Sequence, residues 1–324
     1  MSFWLRRKVF VTGASGLLGS HLVGKLIERG AEPVVLLRDW TPASDLLSSG
    51  RLEYCSVVRG ELEDLGLLLR ALNEHEIDSV FHLGAQTIVG TARRSPLSTF
   101  ESNIRGTWNL LEACRLLGDA VERVVVASSD KAYGEQTELP YTEATPLEGR
   151  FPYDVSKSCA DLIATSYGKT YGVPVAITRC GNLFGGGDLN FNRLVPGTIL
   201  AALEGRGVEI RSDGLAVRDY FYVEDAADAY LTLAETMPLA GAAGCAFNFG
   251  NERPLSVLDM VKTILDVMGR PELEPRILDV ARGEIRRQYL DCTKARETLG
   301  WKPRFGMEEG LRRTVAWYEN WFGD

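Results

Sequence analysis

The sequence has few histidines, no paired cysteines and no long apolar run. Its three histidines, at positions 21, 75 and 82, do not have the spacing of a metal site, so no catalytic metal is expected. The six cysteines are scattered without a Cys-x-x-Cys pair, which is typical of a reducing compartment. No run approaches the roughly 18 apolar residues of a membrane helix, and the N-terminus is unlike a signal peptide. These absences predict a cytoplasmic protein that does not contact a membrane.

The charge of the chain is acidic overall. The 324 residues carry a formal net charge of −8, and no basic stripe interrupts the sequence. A phosphate backbone is bound through clustered lysine and arginine side chains, so a nucleic-acid partner is not expected. A chain of this length is sufficient for one large domain or two closely packed ones.

Strand and helix patterns alternate through the first two-thirds of the chain. Such βαβ alternation predicts an α/β fold, a Rossmann-type doubly wound parallel sheet with helices on both faces. We assign residues 1–180 to an NAD(P)-binding domain and residues 181–324 to a smaller mixed α/β substrate lobe, with crossovers of the chain between them. Predicted strands are Val9–Val11, Val34–Leu37, Ser79–Leu83, Val124–Ala127 and Val175–Thr178, and predicted helices are Leu17–Arg29, Asn103–Leu117, Tyr153–Tyr171 and Met307–Trp321.

The first strand leads into a glycine turn, Gly13-Ala-Ser15-Gly16-Leu17-Leu-Gly19. Gly13 permits a tight turn, Gly16 lets the backbone approach a pyrophosphate, and Gly19 allows the helix to pack closely on the strand. The N-terminus of that helix supplies N–H donors and partial positive charge. This turn at the first βα junction predicts a tightly bound NAD or NADP.

The end of the second strand leaves the form of the cofactor open. Asp39 lies about twenty residues past the last glycine, where a carboxylate binds the ribose hydroxyls of NAD. Arg38 directly precedes it, and an arginine there suits the 2′-phosphate of NADP. The small-residue segment Leu83-Gly-Ala85-Gln86 follows a third strand and lets the backbone pass beneath the cofactor.

Two short segments predict the chemistry: Ser129-Asp130-Lys131 after a buried strand, and Tyr153-Asp-Val-Ser-Lys157 at the start of a helix. Tyr153 and Lys157 are four residues apart and share a helix face. An ammonium beside a phenol lowers the phenol pKa from about 10 toward neutrality. Tyr153 is therefore predicted to be a general base for a hydroxyl group.

In this order, these motifs resemble the extended short-chain dehydrogenase/reductase family, and more narrowly its nucleotide-sugar 4,6-dehydratases and 4-epimerases. The resemblance covers nearly the whole chain. Further segments that carry it are Asn103-Ile-Arg-Gly-Thr107, Arg179-Cys-Gly-Asn182-Leu-Phe-Gly185, Arg218-Asp-Tyr-Phe-Tyr-Val-Glu-Asp225, Phe247-Asn-Phe-Gly250 and Leu299-Gly-Trp-Lys-Pro303.

The resemblance implies a role for each matching residue. Ser129 would hydrogen-bond the sugar oxygen that is oxidised, Tyr153 would take its proton, and Lys157 would hold the nicotinamide ribose. Glu61 and Leu62 stand where relatives contact the adenine. A homodimer formed by the helices near 103–117 and 153–171 is also implied. The residues implied to bind the nucleotide diphosphate of the substrate are Asn182, Arg193, Arg218, and Arg286 or its neighbour Arg287.

Asp130 and Lys131 favour a 4,6-dehydratase, most like the CDP-glucose enzyme, with GDP-mannose as the other substrate considered. The resemblance implies that Asp130 protonates the hydroxyl leaving C6 and that Lys131 removes the C5 proton. Both groups must be neutral for this, which requires a desolvated pocket. The alternatives are a 4-epimerase, a 4-ketosugar reductase, and a surface turn at Asp130 without a catalytic role. A non-catalytic cofactor sensor is least favoured because Tyr153 and Lys157 are both present.

Overall fold

The computed structural model describes residues 2–280 and 285–323, apart from the side chains of residues 239 and 240. The strands are β1 (Lys8–Thr12), β2 (Glu32–Leu37), β3 (Ser56–Arg59), β4 (Ser79–His82), β5 (Arg123–Ala127), β6 (Val175–Cys180), β7 (Asn182–Phe184), β8 (Glu209–Ile210), β9 (Val217–Tyr222), β10 (Ala246–Phe249), β11 (Pro254–Ser256), β12 (Arg276–Ile277) and β13 (Arg287–Gln288).

The helices are α1 (Leu17–Glu28), α2 (Asp45–Ser48), α3 (Leu65–Glu74), α4 (Val89–Arg94), α5 (Pro96–Phe100), α6 (Gly106–Leu117), α7 (Pro152–Tyr171), α8 (Leu194–Leu203), α9 (Val223–Ala240), α10 (Val257–Val267), α11 (Thr293–Leu299) and α12 (Met307–Gly323). A π-helical turn at Glu101–Arg105 leads into α6. Short 3-10 helices lie at Arg51–Tyr54, Gly118–Ala120 and Asp130–Tyr133.

Seven strands form one parallel sheet in the order β10-β6-β5-β4-β1-β2-β3. Every residue of β4 and β6 is buried, as expected for strands covered on both faces. One face packs against α1 and α9, and the other packs against α3, α6 and α7. The predicted α/β fold with a doubly wound parallel sheet is therefore confirmed.

The C-terminal part of the chain builds a small second sheet and then returns to the first. Strand β9 pairs with β7, β11 and β13, and β8 pairs with β12. Strand β10, at Ala246–Phe249, pairs with β6 and forms one edge of the seven-stranded sheet. The chain thus passes from the first sheet to the second lobe and back again.

A buried polar network ties β6 to its surroundings. The Arg179 guanidinium forms two hydrogen bonds of 2.8 Å with the Asp161 carboxylate, which is fully buried on α7. It also donates to the Tyr133 hydroxyl at 2.9 Å, and that hydroxyl donates to Asn248 on β10. These bonds pair the buried guanidinium with a carboxylate on α7 and connect it, through Tyr133, to β10.

Among the described residues, no helix has the length and apolar character that crossing a bilayer requires. All six cysteines are free thiols.

Candidate active site

A cavity of about 670 Å³ opens along the carboxyl ends of the parallel strands. This is the edge at which open α/β sheets bind their ligands. It extends from the glycine turn after β1 to the segments after β5 and β6. The lining includes the predicted residues Gly13, Ser15, Gly16, Leu17, Gly19, Arg38, Asp39, Leu62, Leu83, Ala85, Gln86, Ser129, Asp130, Lys131, Tyr153, Lys157, Asn182 and Arg193.

The glycine turn fits a dinucleotide pyrophosphate. Gly13 has a φ of +69°, and a Cβ there would lie 2.7 Å from the Gly84 nitrogen. A Cβ on Gly19 would lie 2.1 Å from the Gly13 carbonyl oxygen, so only glycine permits this packing of α1 on the turn. Helix α1 begins after Gly16 without a side-chain cap. Its first N–H groups are therefore suited to a phosphate.

His82 organises the neighbouring strand end rather than facing the chemistry. Its Nδ1 lies 2.8 Å from the Thr12 hydroxyl, and its Nε2 lies 3.0 Å from the Thr107 hydroxyl. Thr12 accepts from the Leu83 and Gly84 N–H groups, and Thr107 donates to the Asn103 carbonyl. Burial lowers the pKa of His82 to about 3. The ring is thus neutral, and this network assigns its proton to Nε2.

Asn103 holds the segment after β4 against α7. Its side-chain oxygen accepts from the Gln86 N–H at 2.7 Å, and its amide donates to the Gln86 carbonyl and to Ser156. These bonds fix the backbone that forms the floor of the cavity. Asn103 belongs to one of the family segments in the sequence, but that segment does not by itself predict that Asn103 binds the Gln86 backbone.

Arg38 and Asp39 form an exposed ion pair, with Arg38 Nε 2.7 Å from Asp39 Oδ2. Both line the cavity, so neither the NAD nor the NADP interpretation is favoured by position. Glu61 differs from the prediction, because it lines an adjacent open depression beside Trp108 and not the cavity. Glu63, two positions further along, lines both the cavity and that depression.

Asp130 lies in the 3-10 helix that follows β5 and is only 1% exposed, so it is not in a surface turn. Its Oδ1 accepts from the Ser129 hydroxyl at 3.1 Å. Its Oδ2 is buried without a hydrogen-bond partner among the described residues. Burial raises the pKa of Asp130, although the charges of Lys131 and Arg218 lower it. The carboxyl is therefore biased toward the protonated form that an acid needs.

Gln288 connects Asp130 and Lys131 to the C-terminal lobe. Its side-chain amide donates to the Asp130 carbonyl at 2.7 Å, and its side-chain oxygen accepts from the Lys131 ammonium. Gln288 is fully buried on β13. No local motif marks Gln288 in the sequence, since its contacts join residues 157 and 158 positions apart.

Tyr153 and Lys157 both line the cavity on α7, but their titration differs from the prediction. Burial raises the pKa of Tyr153 to about 12, although a hydrogen bond with Ser129 lowers it. Burial lowers the pKa of Lys157 to about 8, and its ammonium donates to the Ala127 carbonyl at 2.8 Å. Burial therefore has a larger effect on the pKa of Tyr153 than the lowering by Lys157 that the four-residue spacing predicted. The Lys157 ammonium is directed instead at the end of β5.

Arg193 connects the two sides of the cavity mouth. Its guanidinium lies 2.9 Å from Asp188 Oδ2 and donates to the Thr87 hydroxyl at 3.2 Å. Arg218 and Arg286 do not line the cavity. Arg218 is buried and donates to the Val217 carbonyl, whereas Arg286 is exposed and pairs with Asp213.

Comparison with known proteins places this geometry in a family. The family model described as GDP-mannose 4,6 dehydratase matches residues 10–314. The chain is 33% identical to dTDP-glucose 4,6-dehydratase 1 of Escherichia coli, over 96% of this chain and 92% of that protein. It is 32% identical to a trifunctional Arabidopsis thaliana enzyme with UDP-glucose 4,6-dehydratase activity. That match covers 98% of this chain, and the chain spans about half (48%) of that relative's length.

Solved structures share the whole architecture. DesIV, a dTDP-glucose 4,6-dehydratase from Streptomyces venezuelae with NAD and TYD bound, has a TM-score of 0.87 at 30% identity, covering 98% of both chains. UDP-glucose 4-epimerase of Thermotoga maritima also has a TM-score of 0.87 at 30% identity, covering 97% of this chain and 99% of the other. The same fold therefore occurs in a dehydratase and in an epimerase.

Proposed function

Because the chain belongs to the nucleotide-sugar 4,6-dehydratase family of extended short-chain dehydrogenases/reductases, we propose that it converts a nucleoside-diphosphate hexose into the 4-keto-6-deoxy sugar. The observation that carries this proposal is the buried Asp130 carboxyl, which lines the cavity with Lys131, Ser129 and Tyr153. Epimerisation at C4 requires no acid at C6. A raised Asp130 pKa therefore favours elimination of water.

The residues have separate roles in this reaction. Ser129 orients the C4 hydroxyl and Tyr153 takes its proton, while Lys157 holds the cofactor ribose. A nicotinamide dinucleotide held by the glycine turn and Lys157 would supply the hydride chemistry for oxidation at C4 and reduction at C6. Lys131 removes the proton at C5, which the C4 ketone has made acidic. Asp130 gives its proton to the C6 hydroxyl, which leaves as water, and Lys131 then returns a proton to C5.

Asn182 and Arg193 are the proposed ligands of the substrate diphosphate, because both line the cavity on the side of the C-terminal lobe. Arginine matches phosphate oxygens bidentately. Arg218 enters the proposal only through its charge, which acts on Asp130. Arg286 lies outside the cavity and would have to move to reach a substrate.

The form of the cofactor and the nucleotide of the substrate are proposed separately from the reaction. NAD is preferred because the Streptomyces structure has NAD bound. The CDP-glucose and GDP-mannose predictions stay open beside dTDP-glucose and UDP-glucose, which the relatives' names give. Comparing the four nucleotide sugars as substrates decides which nucleotide the protein prefers.

Incubating the purified protein with CDP-, GDP-, UDP- and dTDP-hexoses in turn, with NAD or NADP, tests the function. We expect one nucleotide to give a 4-keto-6-deoxy sugar, detected by its alkaline ultraviolet absorbance and by mass spectrometry as the loss of one water. A C4 stereoisomer as the sole product would refute the dehydratase and favour the epimerase, for which the same Ser129, Tyr153 and Lys157 suffice.

A homodimer through α6 and α7 is also proposed. Trp108, Leu116 and Leu162 on these helices are 42%, 52% and 58% exposed. Large apolar side chains on adjacent helices are typical of a contact surface. Analytical ultracentrifugation of the chain and of a Leu162→Asp variant would test this, and a monomeric parent chain would refute it.

A further inference from the structure

We propose that Gln288 is a positioning residue for the proton transfers at C5 and C6, setting the orientation and charge of Lys131 relative to Asp130. This inference rests on the proposed dehydratase function. Gln288 comes from the C-terminal lobe, but both polar ends of its side chain bind the segment after β5. It is the structural connection between the lobe that would hold the nucleotide and the acid–base pair.

The hydrogen bonds fix which way the amide faces. The Gln288 nitrogen donates to the Asp130 carbonyl at 2.7 Å, and the Gln288 oxygen accepts from Lys131. A flipped amide would set its NH₂ group against the ammonium and its oxygen against the carbonyl. Both contacts would be repulsive, so one orientation is strongly preferred. The Lys131 nitrogen is therefore held at a defined position by a neutral acceptor.

The backbone that carries Gln288 is held on both sides. Strand β13 pairs with β9, and the Val217 N–H donates to the Arg286 carbonyl at 2.9 Å. On the other side, the Tyr141 N–H donates to the Tyr289 carbonyl at 2.9 Å, and the Asp291 N–H donates to the Tyr141 carbonyl at 2.9 Å. A fully buried side chain on a segment paired on both sides has little freedom to move.

The neutrality of Gln288 has a chemical consequence. An amide oxygen can accept a hydrogen bond from an ammonium or from a neutral amine, so it does not lock Lys131 in the charged form. A carboxylate at the same position would favour the ammonium and suppress the base. The amine that donates to Gln288 also keeps its lone pair for the C5 proton. A glutamine at this position therefore permits Lys131 to act as both base and acid.

The decisive variants are Gln288→Glu and Gln288→Met. In Gln288→Glu, water elimination is expected to require a higher pH, displaced by about one unit or more, which is about a tenfold loss at neutral pH. Formation of reduced nicotinamide by C4 oxidation should stay within about twofold of the parent, because no hydrogen bond among the described residues joins Gln288 to Tyr153 or Ser129. Gln288→Met keeps the side-chain volume but loses the hydrogen bonds to Lys131 and to the Asp130 carbonyl. Its rate of water elimination should therefore fall and should not recover at high pH.

Gln136→Met is the matched control. This amide also binds the backbone near the site, donating to the Tyr133 carbonyl at 2.8 Å, and no hydrogen bond among the described residues joins its side chain to Lys131. It should leave both steps and their pH profiles unchanged. If Gln288→Glu has the parent's pH profile, or if both steps fall equally without a pH shift, Gln288 is a structural residue and the proposal is wrong.

A second readout does not depend on turnover. After reductive ¹³C-methylation, NMR follows the Lys131 signal as pH changes, with Lys131→Arg used to assign it. Gln288→Glu should move its titration to higher pH, and Gln136→Met should not. If the parent protein forms no 4-keto-6-deoxy sugar, the proposed function fails. The NMR titration still decides whether Gln288 controls the charge of Lys131, and an unmoved titration would overturn the inference.

Discussion

Replacing Asp130 with asparagine is expected to stop water elimination while preserving oxidation at C4. Asparagine keeps the shape of the side chain and an oxygen that can accept from Ser129, which lies 3.1 Å from Oδ1. It removes the transferable proton from the unpaired Oδ2. General acids contribute about 10²–10⁴-fold to rate, or about 3–5 kcal/mol of barrier. Single-turnover measurements should therefore show normal reduction of the nicotinamide and a 4-keto-6-deoxy product slowed by that factor.

The same substitution should have a characteristic effect on stability. Burial raises the pKa of Asp130, so the ionised carboxylate is less favourable in the fold than in the unfolded chain. The resulting destabilisation is absent below the unfolded pKa of about 3.9 and becomes complete above the folded pKa. Asparagine never ionises, so the variant should gain thermal stability over the parent as pH rises.

Two results would refute this reasoning. Elimination at the parent rate in Asp130→Asn would mean that another group protonates the C6 hydroxyl. Equal loss of oxidation and elimination would mean that Asp130 holds Ser129 or the sugar in place. Asp119→Asn, at an exposed position in a 3-10 turn, is the control for replacing one carboxylate and should change neither step.

The remaining predictions concern the turn and the buried ion pair. Gly19→Ala places a Cβ 2.1 Å from a backbone oxygen and should cost about 1–3 kcal/mol by chemical denaturation and weaken cofactor binding by calorimetry. Gly66→Ala is the control, because a Cβ there would lie 3.4 Å from Asp64 Oδ1, and it should leave stability unchanged or raise it. Arg179→Lys loses the paired bonds to Asp161 and should lower stability by about 3 kcal/mol or more. The exposed Arg70→Lys should change the free energy of unfolding by less than about 0.5 kcal/mol. Equal losses in the two variants would contradict the expectation that the buried pair contributes more.

Local patterns predicted the parts of the site that depend on spacing along one element. The glycine turn, the strand ends and the pair Tyr153 and Lys157 were identified because a βα junction and a helix face are local geometries. The residues brought in by tertiary packing were missed. Gln288 lies on β13, which pairs with the distant strand β9, and Glu63, not Glu61, lines the cavity.

The electrostatic effect of Lys157 on Tyr153 also depends on features that spacing does not show. Four-residue spacing places Lys157 on the same helix face as Tyr153, and sequence alone suggests that the ammonium controls the phenol. Burial depth is a property of the whole fold, and here it raises the pKa of Tyr153 to about 12. A carbonyl at the end of β5 also holds the ammonium, which the spacing could not indicate.

Strand β10 has a consequence for how the protein is made. The growing polypeptide produces six strands of the main sheet by Cys180, yet the edge of β6 has no neighbour until Phe249 has been synthesised. Until then a row of backbone donors and acceptors is open to other chains. A fragment ending near residue 180 should therefore aggregate instead of binding a dinucleotide by itself. The two lobes are therefore expected to fold together as one unit.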